Sequence, residues 1–442
     1  MSVKYKRHMS SFQIIIFGFA GAILFGTLLL MLPISSAVNE FTGFSDALFT
    51  ATSAVCVTGL VVHDTATYWS LFGQFVILLL IQVGGLGIVT VAAAITIISG
   101  RKIGLMQRST MQTAISASKV GGIVRLTGFI LKTTFLIELA GAVVMSPVFC
   151  KDFGPLKGLW MSFFHSVSAF CNAGFDLMGI RGQFSSLTSY SAVPVINIAV
   201  MLLIVVGGIG FLTWDDIKSN KLKIKRYSLQ SKIALSSTLF LILLPAIYFY
   251  FCEFKDMSAS ERLINSLFQS VTPRTAGFNT VDLTSLSGVG QTVTVILMLI
   301  GGSPGSTAGG MKTITAAVLM FSAFSVFRRK DSVECFGRRI SENIVKNAAA
   351  IFLMYIVLFV LGGLVISTVE GIGVKECLFE TASAIGTVGL SLGITAELGS
   401  VSRIILIFLM FFGRVGGLTI IFAAMSEKGQ TIKLPQEKIT VG

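Results

Sequence analysis

The sequence predicts an all-α membrane protein in which four repeats, each with a first span (M1), a pore helix and a second span (M2), are arranged with pseudo-fourfold symmetry around one central pore. Three observations support this fold class. The chain is strongly apolar, it contains eight runs long enough to cross a membrane, and it repeats one short segment four times. Similar segments at regular intervals indicate like units that bury their surfaces against one another.

The composition places the chain in a membrane. Of its 442 residues, 53% are hydrophobic and only 12% are charged, and the mean hydropathy is +0.84. Soluble domains carry about 25% charged residues, so much of this chain must face lipid. A span needs about 20 apolar residues. The runs that qualify cover residues 12–32, 72–98, 127–149, 192–213, 233–254, 293–327, 348–369 and 404–424.

The eight runs divide the chain into four repeats of two spans each. We expect the repeats to cover residues 1–100, 101–217, 218–330 and 331–442, the last including a cytoplasmic C-terminal tail. One copy of the short segment lies between the two runs of every repeat. The copies are FTATSAVCVTGL (49–60), FHSVSAFCNAGF (164–175), FQSVTPRTAGF (268–278) and FETASAIGTVGL (379–390). Each begins with Phe, passes through small and hydroxylated residues, and ends with Gly followed by Leu or Phe.

A short helix should precede each of these glycines and enter the membrane without crossing it. Ser45 and Asp46 precede one such helix, and Ser258 with Glu261 matches a capping box before another. About a dozen residues separate each start from its glycine, which is too few to span the bilayer. The chain must therefore turn back inside the membrane. Irregular backbone at that depth is tolerated only when it is buried in protein or lines a water-filled cavity.

The four glycine segments have the composition of an ion selectivity filter. A dehydrated cation needs oxygen ligands, and backbone carbonyls supply them without formal charge. Glycine permits the backbone conformations that aim successive carbonyls at one axis. We expect K⁺ to bind at a ring formed by Val57, Thr58, Gly59, Asn172, Ala173, Gly174, Thr275, Ala276, Gly277, Thr387, Val388 and Gly389. The alternative is a set of four tight turns that hold no ion.

Each second span contains glycines at a similar depth. The stretches are IQVGGLG (81–87), IVVGGIG (204–210), IGGSPG (300–305) and FGRVGGL (412–418). A glycine weakens a helix by about 1 kcal/mol relative to alanine, although close helix packing explains the first two stretches equally well. The third stretch continues as GGSPGSTAGGMKT (301–313). No straight helix tolerates that composition, so we expect this span to break into a loop near mid-membrane.

Two positive charges, Lys312 and Arg414, fall inside otherwise apolar spans. A charge there is costly unless it faces water or a partner, and a fixed cation in a cation path is a barrier. We therefore expect a gate formed by Gly301, Gly302, Ser303, Gly305, Gly309, Gly310, Lys312 and Arg414. The alternative for Arg414 is a salt bridge or a set of carbonyl contacts that joins spans. For Glu138, a third charge in an apolar run, we expect a structural partner.

The net charge of +13 follows membrane topology and does not indicate nucleic-acid binding. Lys and Arg cluster after every second span and are absent from residues 32–70, which is the positive-inside pattern. We therefore expect a multi-pass plasma-membrane protein with both termini in the cytoplasm and the glycine segments at the opposite face. Attraction to anionic membrane lipid accounts for the basic loops, and docking of a cytosolic partner is the alternative.

Enzyme chemistry has little support in this sequence. The chain has three histidines and no HExxH or GxSxG motif. The Gly-rich stretch lacks both the glycine directly before Lys312 and the preceding strand that a nucleotide-binding loop requires. We expect no catalytic residues and no cofactor on this chain, and we expect the six cysteines to act as small apolar side chains.

The motifs resemble those of the Trk/Ktr/HKT superfamily of potassium transporters over essentially the whole chain. The resemblance is carried by TSAVCVTGL, FHSVSAFCNAGF, QSVTPRTAGF, SAIGTVGL, GGSPGSTAGGMKT and FFGRVGGLT, and it extends to the C-terminal LPQEKITVG. The Ktr branch, and its KtrB-type membrane subunit in particular, is the most similar. The chain has eight spans and lacks the additional N-terminal pair of the Trk branch.

This resemblance implies a potassium-selective transporter, because members with glycine in all four segments select K⁺. Members with serine where this chain has Gly59 favour sodium. It also implies that the 301–312 loop and Arg414 control the pore. The chain would form a homodimer on a cytosolic ring of regulatory subunits that bind ATP or ADP, and sodium would stimulate transport. We therefore predict K⁺ uptake across the plasma membrane, the alternatives being a sodium-conducting relative and an alternating-access carrier.

Overall fold

The computed structural model describes residues 9–99, 103–115 and 121–424, except the side chains of Ile98 and Ala424. Its helical architecture confirms the predicted fold class. The predicted basic groups that lie outside the described residues are Lys4, Lys6, Arg7, Arg101, Lys102, Lys428, Lys433 and Lys438, together with the tail LPQEKITVG.

The described ranges form seventeen α-helices and one two-stranded hairpin. In chain order the elements are α1 (Ser11–Leu30), α2 (Phe44–Val55), α3 (Leu71–Leu86), α4 (Ile88–Ile98), α5 (Leu105–Ile115), α6 (Ile123–Phe153), α7 (Pro155–Phe170), α8 (Pro194–Gly208), α9 (Phe211–Asn220), α10 (Leu229–Tyr248), α11 (Ala259–Val271), α12 (Gly288–Leu299), α13 (Thr313–Phe327), β1 (Val333–Cys335), β2 (Arg338–Ile340), α14 (Glu342–Glu370), α15 (Val374–Gly386), α16 (Ser400–Val415) and α17 (Gly417–Ala424).

The first span of each repeat is one long apolar helix. These four helices are α1, α6, α10 and α14, and by length and composition each can cross a membrane. At 1.5 Å per residue, the 20 residues of α1 measure about 30 Å, the thickness of the hydrocarbon core. The start of α1 is fixed by a capping box between Ser10 and Gln13. Phe249–Glu253 extends α10 by one π-helical turn.

The short re-entrant helices are α2, α7, α11 and α15, of 12 to 16 residues. The predicted capping box at Ser258 is wrong, because the Ser258 side chain accepts no hydrogen bond from the backbone of α11. Ser258 is the N-cap of α11, but its hydroxyl donates to the Glu261 carboxylate (2.9 Å) and makes no capping bond to the backbone. Asp46 also does not cap α2. Its carboxylate instead pairs with Arg403 (2.6 Å) and His63 (2.9 Å) at this end of the molecule.

All four second spans are broken, whereas the sequence predicted a break only in the third. The pairs α3 with α4, α8 with α9, and α16 with α17 are bent by 95°, 93° and 90°. In the third repeat the loop between Leu299 and Thr313 separates α12 from α13. The bends occur at Gly87, Gly210 and Gly416, whose φ angles of 83°, 95° and 88° continue no right-handed helix.

The three bent pairs therefore share a Gly-x-x-Gly pattern, whose second glycine lies at the bend. The first glycine of each pattern packs against the end of its own pore helix. A Cβ added there would meet a carbonyl oxygen, and the pairs are Gly84 with Val55, Gly207 with Phe170, and Gly413 with Ile385. In this alignment Arg414 occupies the position of Gly85 and Gly208.

We predict that Gly84→Ala lowers thermal stability, while Gly21→Ala, in the exposed part of α1, does not. A methyl at position 84 would force α3 away from the Val55 carbonyl, and such overpacking costs about 1–3 kcal/mol. A methyl at position 21 meets no atom within 4 Å and improves helix propensity. Unfolding of the purified protein in detergent measures both. An unchanged midpoint for Gly84→Ala would show that the packing between α3 and the pore helix is not tight.

Candidate functional site

The four predicted glycines lie side by side in a closed ring. A Cβ added to any of them would strike the carbonyl oxygen of the residue that precedes the glycine of the next repeat. The added Cβ would lie 2.5 Å from the Ala173 oxygen at Gly59 and 2.7 Å from the Ala276 oxygen at Gly174. The other two pairs are Gly277 with Val388 and Gly389 with Thr58. The pairs run from repeat 1 through repeat 4 and back to repeat 1, so the four repeats surround one axis in chain order.

The backbone has the same shape in all four copies at this ring. Each glycine has positive φ, between 70° and 93°. The residue two positions earlier also has positive φ although it has a side chain, namely Val57 (50°), Asn172 (58°), Thr275 (67°) and Thr387 (51°). That conformation costs roughly 1–2 kcal/mol per residue. Only Asn172 belongs to a residue type that favours this conformation, so residue type alone does not predict this second left-handed position.

A hydroxyl in each segment ties the ring to its pore helix, a role the sequence reasoning missed. Ser53 and Ser383 accept hydrogen bonds from the N–H groups of Gly59 and Gly389 (both 3.0 Å). Ser168 and Thr272 donate to the carbonyl that follows the glycine (both 2.7 Å). The hydroxyl precedes the glycine by six residues, or by five in the shorter third segment. Its recurrence in all four copies was the available signal.

Three further hydroxyls at the ring have no hydrogen-bond partner among the residues described. They belong to Thr58, Thr275 and Thr387, and all three side chains are fully buried. A buried hydroxyl without a partner costs about 1–3 kcal/mol. The ring therefore combines carbonyl oxygens with available hydroxyl oxygens, which are the hard donors that alkali cations take.

Two buried polar side chains of the pore helices, His165 and Glu380, have hydrogen-bond partners. His165 lies buried in α7, with Nδ1 at 2.7 Å from the Met161 carbonyl and Nε2 accepting from the Leu177 N–H (3.3 Å). This pairing assigns a neutral imidazole with its proton on Nδ1. In α15 the buried Glu380 carboxylate accepts hydrogen bonds from Ser391 and Thr395. These contacts hold the chain after the glycines in repeats 2 and 4.

An open cavity of about 340 Å³, here called the vestibule, lies on one side of the ring. All four glycines line it, together with the carboxylates of Asp64, Asp176 and Asp282. Asp64 accepts hydrogen bonds from the backbone of Ala66 (3.1 Å), Thr67 (3.0 Å) and Phe184 (3.0 Å), which fix its position. The vestibule is therefore acidic and leads directly to the glycine ring.

The predicted loop in the third repeat lies directly beside the other face of the ring. Thr307 donates to the Phe170 carbonyl (3.0 Å), and its hydroxyl is 3.1 Å from the Asn172 amide oxygen. Gly309 approaches so near to Thr387 that an added Cβ would overlap the Thr387 hydroxyl. The loop thus contacts the left-handed position of two different repeats.

Backbone hydrogen bonds anchor this loop at both ends and to two neighbouring repeats. The bonds are Gly301 N to Met311 O (2.7 Å), Thr313 N to Gly302 O (3.0 Å), Ser303 N to Gly208 O (2.9 Å), Phe211 N to Gly305 O (2.6 Å) and Gly310 N to Gly413 O (3.1 Å). All the predicted gate glycines of the loop therefore lie in one compact segment between the broken second spans.

Arg414 joins the loop to the first repeat. Its guanidinium donates to the carbonyls of Thr307, Gly84 and Gly85, the last at 3.0 Å. It forms no ion pair with a described carboxylate. Lys312 folds back onto its own loop, with Nζ at 2.7 Å from the Ala308 carbonyl.

A second cavity of about 290 Å³, lined by Gly310, Lys312 and Arg414, lies on the side of the loop away from the ring. The loop and the two cations therefore separate this second cavity from the glycine ring.

The buried Glu138 is not part of that barrier. It accepts a hydrogen bond from Gln82 (3.2 Å) and lies 3.9 Å from the Cys171 thiol, behind the second segment.

Comparison with known proteins matches nearly the whole chain to one family. The profile of the TrkH family, described as cation transport protein, matches residues 4–439. The potassium/sodium uptake protein NtpJ of Enterococcus hirae is 40% identical, over 100% of this chain and 99% of that protein. The Ktr system potassium uptake protein B of Bacillus subtilis is 37% identical, over 97% of this chain and 96% of that protein.

A solved structure supports the same fold. The potassium transporter TrkH from Vibrio parahaemolyticus aligns with a TM-score of 0.72 and 19% sequence identity, covering 96% of this chain and 87% of that chain. At this identity the likeness concerns the fold. It shows that the arrangement of long, re-entrant and broken helices is shared with that solved protein.

We predict that Ser53→Ala destabilises the ring, because it leaves the buried Gly59 N–H without an acceptor. Such a loss costs about 1–3 kcal/mol. Ser109→Ala, an exposed position whose hydroxyl makes no described hydrogen bond, should leave stability unchanged. Thermal unfolding in detergent provides the measurement. Equal midpoints for the two variants would mean that the hydroxyl does not support the glycine.

Proposed function

The chain belongs to the TrkH family of cation transport proteins, and from that premise we propose that it carries K⁺ into the cell through the ring of four glycines. It is a membrane cation uptake transporter and not an enzyme. The observation that carries the proposal is the closed cycle of glycine–carbonyl contacts between successive repeats. A ring of carbonyls on one axis can replace the hydration shell of a cation.

We propose that the vestibule faces the outside of the plasma membrane and that both termini lie in the cytoplasm. The distribution of Lys and Arg supports this orientation through the positive-inside rule. The three vestibule aspartates would then raise the local concentration of cations at the entrance. Cations would pass from the acidic vestibule to the ring and be drawn inward by the membrane potential.

K⁺ is the proposed substrate, bound at the twelve ring residues predicted from the sequence. Glycine in all four segments and the unpaired hydroxyls of Thr58, Thr275 and Thr387 support a site for a weakly hydrated cation. Sodium is a second candidate, because the 40% identical relative is named a potassium/sodium uptake protein.

The proposed gate is the Gly301–Lys312 loop held by Arg414. In the arrangement described, the loop contacts Asn172 and Thr387 on the ring while Arg414 ties it to the carbonyls of repeat 1. Passage would require these hydrogen bonds to break and the loop to move aside. Neutral carbonyls hold the Arg414 charge, so its release does not require separation of an ion pair.

We also propose that the chain works as a homodimer on a cytosolic ring of nucleotide-binding regulatory subunits. ATP or ADP would bind that ring, and this chain would hold no cofactor of its own. Several relatives are named as parts of a Ktr potassium uptake system, which supports a multi-component assembly. The basic loops offer a surface for an acidic cytosolic partner.

We predict that the chain restores K⁺ uptake to cells lacking their own K⁺ importers, and that Gly277→Ala abolishes this uptake while Gly393→Ala retains it. Both glycines have positive φ (80° and 99°), so alanine strains the backbone equally at either position. Only at Gly277 does the new methyl strike a ring carbonyl, that of Val388. Rubidium or potassium influx, normalised to membrane expression, is the measurement.

Parallel influx measurements with sodium decide between the two candidate substrates. Preference of the wild type for Na⁺ over K⁺ would overturn the potassium assignment. Equal losses of influx in the Gly277 and Gly393 variants would remove the ring from the transport path.

We predict that Arg414→Ala increases K⁺ influx. Hydrogen bonds from a charged donor contribute about 1.5–3 kcal/mol, so their loss should favour the open loop by roughly tenfold or more. Arg226→Ala, at an exposed position in the cytoplasmic part of repeat 3, is the matched control and should leave influx unchanged. The measurement is initial influx in membrane vesicles.

Arg414→Lys separates charge from carbonyl bridging. A lysine ammonium keeps the positive charge but cannot reproduce the forked contact with Thr307 and Gly84. We expect influx above the wild-type rate for this variant as well. Wild-type influx in both Arg414 variants would contradict the gate.

A further inference from the structure

A groove lies where α13 gives way to the β1–β2 hairpin, at the end of an apolar run that the sequence predicts to cross the membrane. Its volume is about 390 Å³, within the range of small-molecule sites. The apolar wall consists of Phe321 and Phe324 on α13 and Phe336 at the tip of the hairpin. Residue 327 is the last apolar residue of the span, and Arg328, Arg329 and Lys330 follow it directly.

The β1–β2 hairpin packs against neighbouring helices, and its turn contains a phenylalanine at a position where that residue type is uncommon. Cys335 and Ile340 are buried against α10, α13 and α14, so the strands form part of a small core. The two-residue turn Phe336–Gly337 has φ angles of 49° and 71°. Asn or Gly is preferred at the first position of such a turn, and a phenylalanine there is strained. Its ring is nevertheless 53% exposed, so internal packing does not explain the choice.

The polar rim of the groove is net positive. Lys330 is held by Glu334, with Nζ at 2.7 Å from the carboxylate. That hydrogen bond from the Lys330 ammonium lowers the pKa of Glu334, so the pair stays charged at neutral pH. Arg328 also lines the groove, and it makes no ion pair or side-chain hydrogen bond with any described residue. From Arg328 to Ile340 the chain carries five basic and two acidic residues.

We propose that this groove binds one anionic phospholipid. An acyl chain would lie along Phe321, Phe324 and Phe336, and the headgroup phosphate would accept hydrogen bonds from the Arg328 guanidinium. Arginine matches phosphate through paired N–H donors, and the surplus positive charge selects an anionic headgroup over a zwitterionic one. Other apolar side chains of α13, such as Met320, are also exposed, which favours a lipid over a soluble partner as the occupant.

The test uses the full chain in nanodiscs of phosphatidylcholine and phosphatidylglycerol at a 7:3 ratio. After extraction into mild detergent, native mass spectrometry counts the phospholipids retained by each protein. Arg328→Gln removes the phosphate donor. Phe336→Asn removes the ring while supplying a residue that suits the left-handed turn, so the hairpin should stay folded.

The chain offers a neighbouring control for each variant. Arg329→Gln removes an adjacent positive charge that does not line the groove. Phe327→Asn removes the adjacent ring, which is 78% exposed and also lies outside the groove. If lipid is held only by diffuse electrostatic or apolar attraction, the control and test variants should lose retained lipid equally. If lipid occupies the groove, only Arg328→Gln and Phe336→Asn should lose it.

The expected result is one retained phosphatidylglycerol on the wild type and on both controls, with retention reduced on the order of tenfold in Arg328→Gln and in Phe336→Asn. Equal retention in Arg328→Gln and Arg329→Gln would overturn the proposal. Retention of phosphatidylcholine at the same level, or displacement of the lipid by millimolar inorganic phosphate, would overturn it as well. The count of bound lipid is independent of transport, so this result stands apart from the uptake experiments.

Discussion

The close approach of four backbone segments around one axis is the constraint on which the rest of the structure depends. Each ring glycine touches the carbonyl of the next repeat, and a single added methyl would push two repeats apart. Such contact demands pore helices that end at the same depth and second spans that bend away beneath them. Gly84, Gly207 and Gly413 meet that demand by allowing each second span to rest on the carboxyl end of its own pore helix.

This packing also supplies hydrogen-bond donors to the carbonyls exposed where the second spans are broken. A helix interrupted inside a membrane exposes backbone carbonyls that lipid cannot satisfy. In this fold Arg414 meets the carbonyls of Gly84 and Gly85, and the third-repeat loop meets those of Gly207, Gly208 and Gly413. The same contacts that satisfy the interrupted helices also place the Arg414 charge and the Gly-rich loop beside the ring. The hydrogen bonds that satisfy the broken helices are therefore the same bonds that hold the proposed gate.

Local patterns predicted much of this arrangement and failed where the outcome depended on neighbours. The Phe-to-Gly segments identified the ring, and the composition of 301–313 identified the loop. The glycines of the second spans did not by themselves show where three of the spans bend, because packing of Gly84, Gly207 and Gly413 against the pore helices decides the position of the bend. The capping box at Ser258 was wrong because the Glu261 carboxylate accepts from the Ser258 hydroxyl and not from the Ser258 backbone N–H.

The sequence by itself determined the membrane class, the four glycine segments and the break in the third repeat, because hydropathy and glycine content act over a few residues. Only the tertiary structure decided the cyclic order of the ring, the left-handed backbone at Val57, Thr275 and Thr387, and the partners of Arg414. The order of the ring and the contacts of Arg414 join segments a hundred or more residues apart. Local residue type does not encode such contacts, because each depends on backbone atoms of another repeat.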